Sequence, residues 1–288
     1  MNPRYRFFIQ PKFPPGHSMA GDWSGQEKGT GYEFWGLRKY RPGDSYRHID
    51  WKAVARTKEL YVREFLRDSA FNLMLLIDLS PSMKFGGKLP LALDIAESLA
   101  WAALQKNQPC GLLFYADRVL EYHASSAASR QFHKLSALLR KAVTVRCRRT
   151  DLRPAVEFLV KRMPGCLGAI LSDFDGNIDG LGSVLEAAAA GRTPNHEMLA
   201  LQILEQAEER LPEISDGQLR IRDLESGATL DLDLGRREEY AAAMRRRQFE
   251  KITKLAAAGI DSTVIVVGRD NVQEKVNQLF ARRLAARV

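Results

Sequence analysis

Short, almost wholly apolar segments alternate with longer amphipathic segments from about residue 71 onward, and this alternation constrains the fold more than any other feature. The first apolar segment, Phe71–Asp78, reads FNLMLLID and ends in an acid, as does Gly168–Asp173 (GAILSD). Continuous apolar strands are typical of a sheet that is buried on both faces, and strands alternating with helices favour a parallel sheet. The sequence therefore predicts a three-layer α/β domain around a doubly wound, mostly parallel sheet of the Rossmann-like kind.

The remaining strands and helices continue this alternation. An antiparallel pair is expected at Gly111–Tyr115 and Arg118–Tyr122, and two further strands at His196–Ile203 and Asp261–Val267. The predicted helices are Leu89–Gln105, Arg130–Lys141, Leu152–Arg162, Arg236–Ala258 and Asn271–Ala286. A small hairpin near residues 215–234, which turns around a Ser-Gly pair, is expected as an insertion before the fourth helix.

The first 65 residues differ in character from the rest. They are rich in Gly, Arg and aromatic residues and lack helical periodicity, so we expect a partly β N-terminal extension at 1–65 and the α/β domain at 66–288. Residues 1–70 hold 13 Lys and Arg against 8 Asp and Glu, in a chain of net charge +8. A basic region attracts nucleic acid, anionic membranes or acidic proteins. Nucleic-acid binding through this region stays open as an alternative, but no nucleic-acid fold motif accompanies it and no nucleic-acid partner is expected.

Cysteine usage and hydropathy together favour a cytoplasmic protein. The chain has three widely spaced cysteines, Cys110, Cys147 and Cys166, and no Cys-x-x-Cys pair, so free thiols in a reducing compartment are expected. No segment approaches the roughly 18 apolar residues that span a membrane. The first ten residues also lack the apolar core of a signal peptide.

Hydroxyl and carboxylate side chains cluster after strands or before a helix. Asp78, Ser80 and Ser82 follow the first strand at alternating positions, Thr150 precedes a predicted helix, and Asp173 ends a later strand. Ligands of open α/β sheets bind where strands deliver their carboxyl ends, and Mg²⁺ prefers carboxylate, hydroxyl and water oxygens. The pattern predicts a site for Mg²⁺, or for Mn²⁺ or Ca²⁺, with an open coordination position that accepts an Asp or Glu carboxylate of a partner protein.

The order and placement of these five residues resemble the metal-ion-dependent adhesion site of von Willebrand factor A domains. Upstream, the motifs GTGYEFxGLRxYxPGD at 29–44, RxIDWxAxART at 47–57 and LxVREF at 60–65 resemble the bacterial domain-of-unknown-function family fifty-eight. Members of that family are usually encoded beside MoxR-type AAA+ ATPases. The resemblance therefore implies an adaptor or co-chaperone for such an ATPase in the assembly or maturation of protein complexes.

Four arginines are candidates for contact with the partner. Arg38 and Arg41 lie in the first upstream motif, and Arg148 and Arg149 directly precede Thr150, where the family usually has glycines. Guanidinium groups form strong charge-assisted hydrogen bonds to carboxylates. Two alternatives are open for each pair: Arg38 and Arg41 form a docking surface or serve only the packing of their segment, and Arg148 and Arg149 clamp an acidic partner or repel the cation.

A metal-dependent phosphate-transfer enzyme on a Rossmann-like fold is the alternative class. It would use Asp78 as its nucleophile, and this chemistry needs a second Asp two residues later as acid and base. Position 80 is Ser80, so that group is missing. Residues 85–88 (FGGK) also lack the partner glycine and the hydroxyl of a phosphate-binding loop. The sequence therefore favours a binding protein that is not an enzyme.

Overall fold

The computed structural model describes residues 3–12, 32–40, 49–67, 71–147, 149–163, 165–190, 196–211 and 217–285. The chain divides into two compact units. The larger comprises Met1–Phe13 and Phe71–Val288, and the smaller comprises Pro14–Ala70. The smaller unit is thus inserted into the larger one, whereas the sequence predicts an extension formed by the first 65 residues.

The smaller unit contains two antiparallel strands, β1 (Tyr32–Lys39) and β2 (Tyr61–Arg67). A short helix between them, α1 (Trp51–Thr57), is capped at its N-terminus by Asp50. The carboxylate of Asp50 accepts hydrogen bonds from the backbone N–H groups two and three residues later, which fixes the start of the helix.

The larger unit is built on a mostly parallel, six-stranded sheet. Its strands are β3 (Leu73–Asp78), β4 (Cys110–Tyr115), β5 (Val119–Ser126), β6 (Leu167–Ser172), β7 (Glu197–Leu204) and, after a separate hairpin of β8 (Gln218–Arg222) and β9 (Thr229–Asp233), β10 (Asp261–Val266). The order across the sheet is β10-β7-β6-β3-β4-β5, and β5 alone in this sheet runs antiparallel to its neighbour. The α/β architecture and the antiparallel pair predicted from the sequence are confirmed.

Helices cover both faces of this sheet. They are α2 (Lys88–Gln105), α3 (Gln131–Lys141), α4 (Arg153–Arg162), α5 (Leu181–Ala190), α6 (Arg237–Ala257) and α7 (Val272–Ala285). Along β3, Leu75 and Ile77 pack in one core with α2, α3 and α7, whereas Met74 and Leu76 pack in a second core with α4, α5 and α6. The sheet is therefore the middle of three layers, and its strands are apolar throughout because both faces are buried.

Residues 3–12, which we call the strap, pack on the larger unit. Phe7 and Ile9 are buried in the first core. The backbone N–H of Tyr5 donates to Ser98 Oγ in α2 (3.2 Å), and the N–H of Phe8 donates to Asn277 Oδ1 in α7 (3.0 Å). The alternating apolar side chains and these side-chain acceptors explain why the strap belongs to the larger unit.

Two further expectations concern cysteines and membranes. Cys110 and Cys166 are free and buried, and Cys147 is free and half-buried. Within the described part of the chain, no helix combines the length and the apolar character that crossing a membrane requires.

Candidate functional site

The sheet topology brings two carboxylates to one place. Asp78 is the last residue of β3, and Asp173 directly follows β6, the parallel strand paired with β3. From β3 the chain proceeds outward through β4 and β5, and it then returns to β6 on the other side of β3. Asp78 and Asp173 thus lie at the topological switch point, where ligands of such sheets bind.

Asp78 is completely buried. Its Oδ1 accepts a hydrogen bond from the backbone N–H of Ser80 (2.8 Å), and its Oδ2 accepts one from the Ser172 hydroxyl (2.6 Å). Among the described residues, no Lys, Arg or His forms an ion pair with Asp78. Burial raises the pKa of Asp78 to about 7, and the neighbouring charge of Asp173 adds to the increase.

The two serines of the first motif lie beside Asp78. Ser80 is buried and precedes a short 3-10 turn, Pro81–Lys84, that contains the partly buried Ser82. The hydroxyl oxygens of Ser80 and Ser82 are 3.0 Å apart. The tight turn therefore makes the two hydroxyls converge, as their spacing predicts.

The loop that carries Thr150 is hydrogen-bonded to the ends of the central strands. The N–H of Val145 donates to the carbonyl of Leu79 (2.8 Å), just after β3. The N–H of Asn177, in the loop after β6, donates to the carbonyl of Thr150 (2.8 Å). Thr150 is buried. These bonds hold the Thr150 loop against the ends of both strands that carry the acids.

Lys88, at the start of α2, was not singled out as a site residue. Its side chain is fully buried, and its Nζ lies 2.7 Å from Asp173 Oδ2 and 2.6 Å from Glu208 Oε1. Burial lowers the pKa of Lys88, but the charges of the two acids outweigh burial and raise it. A buried ammonium needs partners, but no local sequence pattern predicts that the Lys88 side chain is buried or that it pairs with Asp173 and Glu208.

Charge is distributed unequally between the two buried aspartates. Burial raises the pKa of Asp173, but the charge and hydrogen bond of Lys88 outweigh it, so this pKa falls below its ordinary value. The pKa of Asp78 moves in the opposite direction. One ammonium therefore compensates Asp173, while the charge of Asp78 is left uncompensated within the described residues.

A second acidic group overlaps this site. Carboxylate oxygens of Asp173, Asp175 and Glu208 lie within 4.8 Å of one another, a geometry compatible with a divalent cation. Two lysines already neutralise these acids, because Lys251 Nζ contacts Asp175 Oδ1 and Lys88 bridges the other two. Asp78 and the hydroxyls thus offer the less compensated set of oxygens.

A further acid reaches the site from the β8–β9 hairpin. Glu225, in the turn between the strands, accepts hydrogen bonds from the Thr150 hydroxyl and from the Thr150 backbone N–H, the latter at 3.1 Å. Burial raises the pKa of the nearby Cys147 thiol, and the charges of Glu225 and Asp78 raise it further. No local sequence pattern indicated this contact, since the two residues are 75 positions apart.

Two of the four candidate arginines, Arg38 and Arg149, lie in the described part of the chain. Arg149 is exposed beside Thr150, and Arg38 lies in β1 of the smaller unit. Arg41 and Arg148 lie outside the described residues.

Gly176 allows the loop after β6 to approach Thr150. A Cβ atom at position 176 would lie 2.4 Å from the Thr150 carbonyl oxygen and 2.6 Å from its Cβ. We expect Gly176→Ala to displace Thr150, to weaken Mn²⁺ binding about 10–100-fold, as loss of outer-shell support does, and to cost about 1–3 kcal/mol of stability. Calorimetric Mn²⁺ titration and urea unfolding measure the two effects.

The matched control is Gly182→Ala in α5, where a Cβ meets only ordinary contacts from 3.4 Å outward. This variant should bind Mn²⁺ as the wild type does. Equal Mn²⁺ affinity in both variants would show that Thr150 does not contribute to the site.

Uncharacterized proteins of Mycobacterium bovis and Mycobacterium tuberculosis are similar to this chain. Each is 27% identical over 277 residues, a match that covers 93% of this chain and 85% of the relative. Their names give no activity.

Two solved structures also match about three quarters of this chain at low sequence identity. A von Willebrand factor type A structure from Catenulispora acidiphila has a TM-score of 0.41 and 10% identity, and the match covers 78% of this chain and 44% of that one. The conserved hypothetical protein BatB from Bacteroides thetaiotaomicron has a TM-score of 0.45 and 15% identity, with 75% and 100% covered.

One family model matches the chain directly. It carries the description "Protein of unknown function DUF58" and matches residues 36–250, which include β2, Asp78, Thr150 and Asp173. Because the match spans well over half of the chain, this protein belongs to the DUF58 family.

Proposed function

We propose that this chain is a divalent-cation-dependent protein-binding module with a von Willebrand factor A-type domain. The observation that carries the proposal is the buried Asp78 carboxylate, which has no ion-pair partner among the described residues and lies beside converging hydroxyls. A buried, uncompensated carboxylate is costly, and a bound cation removes that cost.

The residues fit a hard cation. Asp78, Ser80, Ser82 and Thr150 supply carboxylate and hydroxyl oxygens, the ligands that Mg²⁺ prefers and that Mn²⁺ and Ca²⁺ accept. Asp173 adds a second negative charge directly or through water, although Lys88 and the N–H of Asp175 already bond to its two oxygens. When bound, the cation supplies an electrophilic position for an external carboxylate.

The partner, in this proposal, is a protein that presents an Asp or Glu side chain. The exposed Arg149 beside Thr150 adds positive charge at the rim of the site and favours an acidic partner. We propose further that the partner is a MoxR-type AAA+ ATPase, or a client delivered to it, and that the chain acts as an adaptor or co-chaperone. This finer assignment is supported by the family resemblance of the sequence alone.

Binding fits Asp78 better than catalysis does. A phosphate-transfer nucleophile must be ionised and accessible, but Asp78 is fully buried, hydrogen-bonded through both oxygens, and has its pKa raised to about 7. The position two residues later remains a serine, without the acid and base that such chemistry needs.

Cation binding is expected to stabilise the protein. A cation at ~100 times its dissociation constant adds about 2.7 kcal/mol, which raises the melting midpoint by roughly 5–10 °C for a unit of this size. Thermal melts in EDTA, Mg²⁺ and Mn²⁺ measure the effect. Ser82→Ala, which removes a partly exposed hydroxyl of the site, should reduce the shift, and Asp179→Asn, an exposed acid paired with Lys254, should leave it unchanged.

The same variants test partner binding. A purified MoxR-type ATPase from the same organism should be captured by the wild type and by Asp179→Asn in Mg²⁺, and released in EDTA. Capture that persists undiminished in EDTA would contradict cation-dependent binding.

A further inference from the structure

The β8–β9 hairpin holds its tip against the candidate metal centre. Its two strands pair only with each other among the described strands, and most of their side chains are exposed. The Glu225 carboxylate at its tip nevertheless accepts two hydrogen bonds from Thr150, which is buried. A two-stranded hairpin is only marginally stable in water by itself, so this contact helps to fix its position.

The hairpin presents Glu225 in a defined geometry. Asp223 accepts hydrogen bonds from the Glu225 N–H (2.8 Å) and from the Ser226 hydroxyl (2.7 Å), which orders the turn. Farther from the turn, Arg220 and Asp231 form a bidentate ion pair across the strands, with Nε to Oδ1 at 2.6 Å and Nη2 to Oδ2 at 2.9 Å. The tip is thus held by bonds within the hairpin, and Glu225 is directed outward from it to Thr150.

The charges make this contact unusual. Glu225 is a carboxylate placed beside Thr150 in a site that also contains the buried carboxylates of Asp78 and Asp173. Glu225 has no salt-bridge partner among the described residues. Like charges at such a site repel unless a cation lies near them. Glu225 thus occupies both hydrogen-bond donors of Thr150, a residue that the proposed cation site uses as a ligand.

We propose that Glu225 is an internal ligand of the cation site and that an incoming Asp or Glu carboxylate must displace the hairpin. This inference rests on the proposed cation-dependent binding and concerns how that binding is regulated. With the hairpin docked, the internal carboxylate completes the site, and the chain binds partners weakly. With the hairpin released, the open coordination position becomes available. The hairpin is therefore an autoinhibitory element whose release sets the affinity for acidic partners.

The test compares the wild type with Glu225→Ala, and uses Asp231→Ala as the matched control. Both substitutions remove one carboxylate from the same exposed hairpin, but Asp231 contacts Arg220 and not the site. The probes are Mn²⁺ alone, followed by water-proton relaxation, and then acetate as a minimal carboxylate. In Glu225→Ala, bound Mn²⁺ should gain an exchangeable water, and acetate should bind about tenfold more tightly, because a tethered ligand at millimolar effective concentration no longer competes.

A second measurement follows the hairpin without any cation. Hydrogen exchange should become faster in residues 218–233 and at the Thr150 amide in Glu225→Ala, and the Thr150 amide should be unaffected in Asp231→Ala. If none of the three proteins binds Mn²⁺, the proposed function is overturned, and the proposal that Glu225 is an internal ligand falls with it. Mn²⁺ binding with equal relaxation and equal acetate affinity in the wild type and Glu225→Ala overturns the internal ligand alone.

Discussion

Replacing Lys88 with methionine is expected to destabilise the larger unit by about 3–5 kcal/mol at neutral pH, as loss of one partner of a buried ion pair does. Methionine keeps the length and apolar contacts of the side chain but leaves Asp173 and Glu208 without their shared ammonium. Asp173 is almost completely buried, so water cannot replace the lost partner. Urea unfolding at pH 7 in EDTA measures the loss.

The double variant Lys88→Met/Asp173→Asn is the control, because it removes both charges of the buried pair and should recover much of the lost stability. Lys88 depresses the pKa of Asp173, so the stability from this pair is present above the ordinary aspartate pKa of 3.8 and is lost as pH falls through the lower folded value. The deficit of Lys88→Met should therefore shrink at acid pH. A deficit that is the same at pH 3 and pH 7 would mean that packing, and not charge, is responsible.

Asp78→Asn should have the opposite effect on the cation-free protein. The pKa of Asp78 is raised from 3.8 to about 7, chiefly by burial and then by the charge of Asp173. At about 1.36 kcal/mol per pKa unit, ionising Asp78 in the folded state costs up to about 4 kcal/mol. The asparagine carries no charge at any pH, so in EDTA at pH 8 the variant should be more stable than the wild type by several kcal/mol.

The stability difference between the wild type and Asp78→Asn should depend on pH in a defined direction. A folded-state pKa above the unfolded value means that the stability is fully present below pH 3.8 and is lost as pH rises to about 7. Wild-type stability in EDTA should thus fall across this interval relative to Asp78→Asn, and the two should differ by a constant amount above it. Mg²⁺ should stabilise only the wild type. Urea unfolding of both proteins from pH 4 to pH 8 in EDTA measures this difference. An Asp78→Asn variant that is less stable than the wild type at pH 8 would contradict the prediction.

Most of the α/β fold could be predicted because its signals are local. Continuous apolar runs located the strands of the large sheet, and a longer, almost wholly apolar segment placed α2 at residues 89–105 against the observed Lys88–Gln105. Helix α5, Leu181–Ala190, was missed because its run of alanines has no amphipathic period. The strap was assigned to the extension because its partners, such as Asn277, lie far along the chain.

The candidate site was predictable only in part, for a related reason. Oxygen ligands at strand ends follow from strand position, so the sequence alone places Asp78 and Asp173 at one edge of the sheet. The groups that set their charge state could not be placed in this way. Lys88 reaches Asp173 across 85 positions, and Glu225 reaches Thr150 across 75, so neither pairing leaves a local pattern.

The strap also determines when folding of the larger unit can be completed during synthesis. The backbone of Arg6 and Phe8 bonds to Gln273 and Asn277 in α7, 267 and 269 positions later. At about 5–20 residues per second, the ribosome needs roughly 15–50 s to add the residues between them. Throughout that interval the apolar Phe7 has no α7 to pack against, so the contacts between the strap and α7 form only after α7 has been translated. A nascent chain that lacks α7 is therefore expected to leave this aromatic segment more exposed than it is in the folded protein.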